Sequence, residues 1–247
     1  MPVLTLAAVP WTAVRDRPGE GPVVAVLPLG VLEAHGPHLP LATDVIIAEA
    51  MADAAAVQLD AAGWTVLRLP AMPYAAAPFA EAFPGTVSIS ADIVTRLILD
   101  VAAAMVRHGV GCLAIANAHL DPAHRTALAD ALSETDLRLA IPDIARRRHA
   151  ARLGEEFASG ACHAGRFETS IVLAARPDLV RDDVRAGLAA NPASLSDAIV
   201  AGKSTFAEAG GPDAYFGWPA DASAEEGEHL IMTLGEILTE AVLEATR

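Results

Sequence analysis

Short apolar runs alternate with helix-length segments along most of this chain, and that alternation narrows the fold more than any other feature. Val23–Leu29, 64–69, 112–116 and 137–141 read as buried strands, with 43–62, 91–108 and Pro122–Glu134 as the helices between them. Gly63 and Gly109 end the first two helices, and Pro122 opens the third. The segment 167–175 also reads as helical, and 224–246 as a long amphipathic helix. Strands separated by helices of about ten or more residues pair in parallel through crossover connections. The expected fold is therefore α/β: a single layered domain over residues 1–247, its mostly parallel sheet flanked by helices. No internal repeat, low-complexity tract or long linker breaks it up.

In sheets of this kind ligands collect beyond the carboxyl ends of the strands. The segment after Leu29 delivers Glu33, His35, His38 and Asp44 along a path that Gly30 and Gly36 loosen and Pro37 and Pro40 stiffen. Glu33 and His35 are two apart, so in an extended segment both point to the same side. Thr43 is expected as the N-cap of the next helix, which places Asp44 in its first turn, where the helix dipole favours an ionised carboxylate. A second motif, Asn117-Ala118-His119-Leu120-Asp121, follows the strand at 112–116. A third, running from Cys162-His163 to Glu168-Thr169-Ser170, adds another imidazole and carboxylate. Imidazole and carboxylate donors without thiolates suit zinc, manganese or iron in a reactive site rather than a structural zinc knot.

Composition excludes several classes. Hydrophobic residues make up 53% and charged residues only 19%, which argues against disorder. The formal net charge is −14 and Lys203 is the only lysine, so nucleic acid and anionic membranes are unsuited as partners. Arg146-Arg147-Arg148 is short and reads as a solvated helix face. No apolar run is long enough for a membrane span, and the N-terminus lacks a signal-peptide pattern, so a cytoplasmic protein is expected. Cys112 reads as a small buried hydrophobe, and Cys162 beside His163 as a poor candidate for a nucleophile–base pair.

The segment Glu33-Ala34-His35-Gly36-Pro37-His38-Leu39-Pro40, with Thr43-Asp44, resembles the signature of the creatininase (creatinine amidohydrolase) family, which usually has Gln where Ala34 stands. Phe83-Pro84-Gly85-Thr86-Val87-Ser88-Ile89, His163-Ala164-Gly165, Glu168-Thr169-Ser170 and Gly217-Trp218-Pro219 with Ala222 and Gly227 match later family segments in order. The resemblance implies a creatininase-like fold, often assembled as a homo-oligomer such as a hexamer, and two divalent metal ions, Zn and/or Mn with Fe as a further candidate. It implies Glu33 and His119 as ligands of one ion, His35 as a ligand of the other, and Asp44 as the bridge. Asp121 or Glu168 would complete the second position, with His163 and Glu168 as the candidate catalytic groups. The departures at Ala34, Ala118, Leu120 and Trp218, and the lack of a tryptophan in the middle third, argue against a flat ring such as creatinine as substrate.

The expected activity is metal-assisted hydrolysis of a C–N bond in a small, cyclic amide, since paired cations overcome a poor electrophile and a poor nucleophile together. The alternatives are a peptidase-type member that trims a precursor peptide, as one branch of the family does, and a non-catalytic metal-binding member. His38 is expected to hydrogen-bond within its loop and orient the ligands. His124 is read as solvated or as support for His119, and His108 as a helix cap, while His149 and His229 receive no role. Phe79, Phe83, Phe216 and Trp218 line the pocket or cover a subunit contact. Arg166 either grips a substrate carboxylate or forms a structural ion pair.

Overall fold

A computed structural model describes residues 3–17 and 21–247. Five strands, β1 (Val3–Thr5), β2 (Val23–Leu29), β3 (Thr65–Arg68), β4 (Cys112–Asn117) and β5 (Arg138–Ala140), form one parallel sheet in the order β1-β3-β2-β4-β5. The helices are α1 (Trp11–Arg15), α2 (Thr43–Ala61), α3 (Ala91–Arg107), α4 (Pro122–Glu134), α5 (Arg147–Ala150), α6 (Glu155–Ser159), α7 (Arg166–Ala175), α8 (Asp182–Arg185), α9 (Leu195–Val200) and α10 (Ala224–Ala245). The expected layered α/β fold is the one observed.

Central strand β2 is buried from Val24 to Leu29, because helices cover both faces of the sheet. Alternation then sorts its side chains. Val24 and Val26 meet Ile47, Met51 and Leu59 of α2 and Leu234 and Ile237 of α10 on one face. Ala25, Leu27 and Leu29 meet Val94, Ile98 and Leu128 of α3 and α4 on the other. From β2 the chain crosses to β3 on one side and later returns to β4 on the other, with Leu27 beside Ile115 and Leu29 beside Asn117. The carboxyl ends of β2 and β4 therefore flank the switch point where sheets of this type open a crevice. Gly30 is needed there: a Cβ would lie 2.5 Å from the Val45 backbone nitrogen, so only glycine lets α2 start hard against the end of β2.

One expectation changes at the start of α2. Thr43 is not the N-cap of α2; Ala42 is, and Thr43 is the first helical residue, its hydroxyl donating to the Pro40 carbonyl at 2.7 Å. Asp44 still falls in the first turn. Strand β1 also adds an edge that the sequence reading left unassigned.

Candidate metal centre

Four segments converge at the carboxyl end of the sheet. The segment after β2 carries Glu33 and His35, the first turn of α2 carries Asp44, the end of β4 leads to His119, and the entry to α7 carries His163 and Glu168. All six are buried. Asp44 lies at the middle, with Oδ1 3.4 Å from His35 Nε2 and Oδ2 3.0 Å from His119 Nδ1. Glu33 Oε1 is 3.1 Å from the same His119 nitrogen, and Glu168 Oε2 is 3.5 Å from His35 Nε2. The donors thus fall into two sets that share Asp44: Glu33, Asp44 and His119, and His35, Asp44 and Glu168. A third grouping places His163 with Glu33 and His35.

Both cluster histidines have their outer nitrogen engaged. His35 Nδ1 is 3.1 Å from the Glu33 carbonyl and His119 Nε2 is 2.8 Å from the Ala76 carbonyl, so each donates outward and turns its other nitrogen inward. Two of the inward atoms, His35 Nε2 and Asp44 Oδ2, are buried without an aligned hydrogen bond. Acceptor atoms aimed at one another in a dry site are what a cation resolves, and three carboxylates with two imidazoles suit zinc, manganese or iron.

The charges show the same tension. Burial favours neutral Asp44, but His35 and His119 hold its carboxyl well below the usual carboxylate range. Burial works against the His35 cation, yet Asp44, Glu168 and Glu33 raise it to about 10, and the carboxylates likewise raise His119. Burial pushes Glu168 up to about 8, with Asp44 and Glu33 adding to the effect. His163 goes the other way: burial and the neighbouring His35 hold it well below its ordinary value, so it is neutral. Its Nε2 lies 2.9 Å from the Ala34 carbonyl, which leaves Nδ1 as its basic atom.

Asp121 does not join this cluster. It is the N-cap of α4, with Oδ1 accepting from the Ala123 amide at 2.8 Å and Oδ2 from the Phe79 amide at 3.2 Å. An Asp directly before Pro is itself an N-cap pattern, and that signal stands in the sequence. His38 donates or accepts at Thr169 Oγ1 over 2.9 Å, tying the first motif to the third. His124 is fully buried rather than solvated, its ring 5.0 Å from that of His119. Arg166 forms an ion pair with Glu226 at 2.6 Å.

A cavity of about 290 Å³ opens onto the cluster, with Phe79, Leu120, Ile199 and Phe206 among its apolar walls. Phe206, which the sequence reading passed over, stacks 4.2 Å from His163 and gathers Phe79, Phe83 and Phe216 around it. Phe79 therefore lines the pocket, while Phe83 and Phe216 support its wall. Glu156 was also missed. Its buried carboxylate accepts from the amides of Arg166, Phe167 and Trp218 at 2.8, 2.9 and 2.7 Å, anchoring the start of α7 beneath Glu168.

A family model described as creatinine amidohydrolase matches residues 7–242. The chain belongs to the creatininase family. A mycofactocin precursor peptide peptidase of Mycobacterium ulcerans (strain Agy99) is 32% identical over 215 residues, 83% of this chain and 78% of that protein. A creatinine amidohydrolase of Pseudomonas putida is 28% identical over 189 residues, 69% of this chain and 71% of that one. The solved structure named "Creatininase Mn" superposes with a TM-score of 0.76 at 24% identity over 98% of both chains, a likeness of fold. Within this creatininase-family chain, Ala34 packs against the Phe206 cluster while its carbonyl holds His163 and its amide donates to Thr86 Oγ1 at 3.2 Å. The side chain that departs from the usual signature thus sits where the backbone, not the side chain, makes the polar contacts.

Proposed function

We propose that the chain hydrolyses the C–N bond of an amide at a centre of two divalent metal ions. One observation carries this reading: the two oxygens of Asp44 face different imidazoles, so one buried carboxylate belongs to both donor sets. Glu33 and His119 would hold one ion and His35 and Glu168 the other, with Asp44 spanning both. When bound, such a pair lowers the pKa of water and polarises the scissile carbonyl. The protein's own groups do the rest. Neutral His163 takes a proton at Nδ1 from the attacking water and returns it to the departing nitrogen, while the Ala34 carbonyl fixes its ring. Phe206, its ring centroid 4.2 Å from that of His163, would cover one face of the imidazole.

The cavity is sized for a small amide, and its apolar walls suit a body without charge. A peptide-trimming reading shares the same chemistry, and the mycofactocin peptidase relatives favour it. Asp44→Asn keeps the shape of the side chain and removes one of the two anionic oxygens. Metal per chain, measured by elemental analysis, is expected to drop together with turnover on a panel of cyclic amides and short peptides. An Asp44→Asn protein that retained both its metal and its turnover would end the two-metal reading.

A further inference from the structure

The cavity beside the cluster is acid-rich, with Glu33, Asp44, Asp121 and Glu168 in its lining, yet Arg125 also reaches it. Among the described residues that line it, Arg125 is the one arginine or lysine. It rises from the first turn of α4, half-exposed, one turn beyond Asp121. Its ion pair is not with Asp121, whose oxygens accept from the Phe79 and Ala123 amides. Instead, Arg125 Nη2 lies 2.9 Å from Asp143 Oδ2, and Arg146 Nε approaches the same oxygen at 3.8 Å. Two guanidinium groups thus share one carboxylate. These three side chains together carry one net positive charge, on a chain whose formal net charge is −14.

A second cavity of about 480 Å³ lies on the far side of Arg125, lined by Asn117, Asp143 and Arg146. The two cavities share Leu120, Pro122 and Arg125 as a common ridge. A substrate seated against the cluster and extending toward the second cavity would pass Arg125. We propose that Arg125, backed by Arg146, receives a carboxylate on the substrate, so that the enzyme acts on amides with an anionic end and an apolar body. This inference rests on the amide-hydrolase reading. The physical basis is pair exchange. An exposed ion pair such as Arg125 with Asp143 holds weakly, and Arg146 is already placed to take over Asp143 when an incoming carboxylate takes Arg125. The planar guanidinium fork matches a carboxylate and can hold both of its oxygens at once.

The test uses N-acetylated ω-amino acids of increasing chain length as carboxylate probes and the matching N-alkylacetamides as neutral ones. Hydrolysis gives KM and kcat, and calorimetry gives binding. For at least one length, the wild-type protein is expected to favour the carboxylate probe by about tenfold or more in KM and in dissociation constant, the size of a charge-assisted hydrogen bond. In Arg125→Gln that ratio is expected to fall toward one, and in Arg125→Lys to recover in part. N-acetyl aminoalkylphosphonates form a third arm, and a preference for them over the carboxylates would replace the carboxylate with a phosphate-like group. Equal use of charged and neutral probes, or a preference that survives in Arg125→Gln, would overturn the inference. If the carboxylate probes bind in an Arg125-dependent way and no amide of any kind is cleaved, the hydrolase reading fails and the anion site stands. If neutral amides are cleaved without a carboxylate preference, the reverse holds.

Discussion

His119 presents Nδ1 to the cluster because the Ala76 carbonyl occupies Nε2, but the loop that carries it needs a hold of its own. Asn117 supplies it. Its Nδ2 donates to the His119 carbonyl at 2.8 Å, and its Oδ1 accepts from His124 Nε2 at 2.9 Å. Burial beside the same cluster keeps His124 well below its ordinary pKa, so it is a neutral donor here. Supporting bonds of this kind set ligand orientation, and their loss typically weakens metal binding by roughly 10–100-fold. Asn117→Ala is expected to weaken one of the two metal positions by that order while the helix content stays unchanged. Chelator competition would measure it, and two positions of wild-type affinity would refute the role. In the sequence Asn117 stands inside the second motif, but nothing local tells that its amide bridges His119 to a histidine buried in the first turn of α4.

Helix α7 is placed by a carboxylate that belongs to another element. Glu156, on the short helix α6, accepts from two amides at the start of α7 and from Trp218, and burial raises its pKa despite those donors. Gly165 is required here, since a Cβ would lie 2.5 Å from the Phe216 carbonyl oxygen and 2.6 Å from Glu156 Oε1. Removing the acceptor costs roughly 1–3 kcal/mol for each buried amide left unpaired. Glu156 borders a surface cavity of about 400 Å³ with Arg166 and Trp218, so water reaches part of the site. Glu156→Ala is therefore expected to lose about 2–4 kcal/mol in urea unfolding, with Glu156→Gln between it and wild type. A loss near zero would mean that α7 is held by its apolar contacts alone. Elements like α6 explain what could be read in advance. Strands β2 and β4 and helices α2, α3, α4 and α10 declare themselves through long apolar periods and glycine or proline ends. Strand β1 and helices α6, α8 and α9 are too short to show a period, and their side chains gain meaning only from distant partners. So the candidate metal ligands stood out on motif spacing, whereas Glu156, Phe206 and Arg125 did not.

The molecule as a whole carries an electrostatic strain that pH can expose. In the metal-free protein His35 is raised to about 10 and Glu168 to about 8, both by their buried surroundings. A raised pKa means that the folded state holds the proton more tightly than the unfolded chain. The stability this brings is present at low pH and is lost as pH climbs through the folded value. His163 and His124 are shifted downward, so what they contribute is already complete above about pH 6.5, the ordinary histidine value. Between pH 6.5 and 9 the cluster's shifts therefore all act in one direction. The midpoint of thermal unfolding of metal-free protein is expected to fall by about 5 °C or more across that window. Metal reverses the sign, because it binds the deprotonated donors of the folded state and competes with these same protons. Loaded with manganese or zinc, the protein is expected to keep or raise its midpoint as pH increases, and the gap between the two forms to widen steadily. Scanning calorimetry at several pH values reads both curves directly. Parallel curves would mean that the protons on His35 and Glu168 are not the ones the metal displaces, and the donor sets around Asp44 would have to be redrawn.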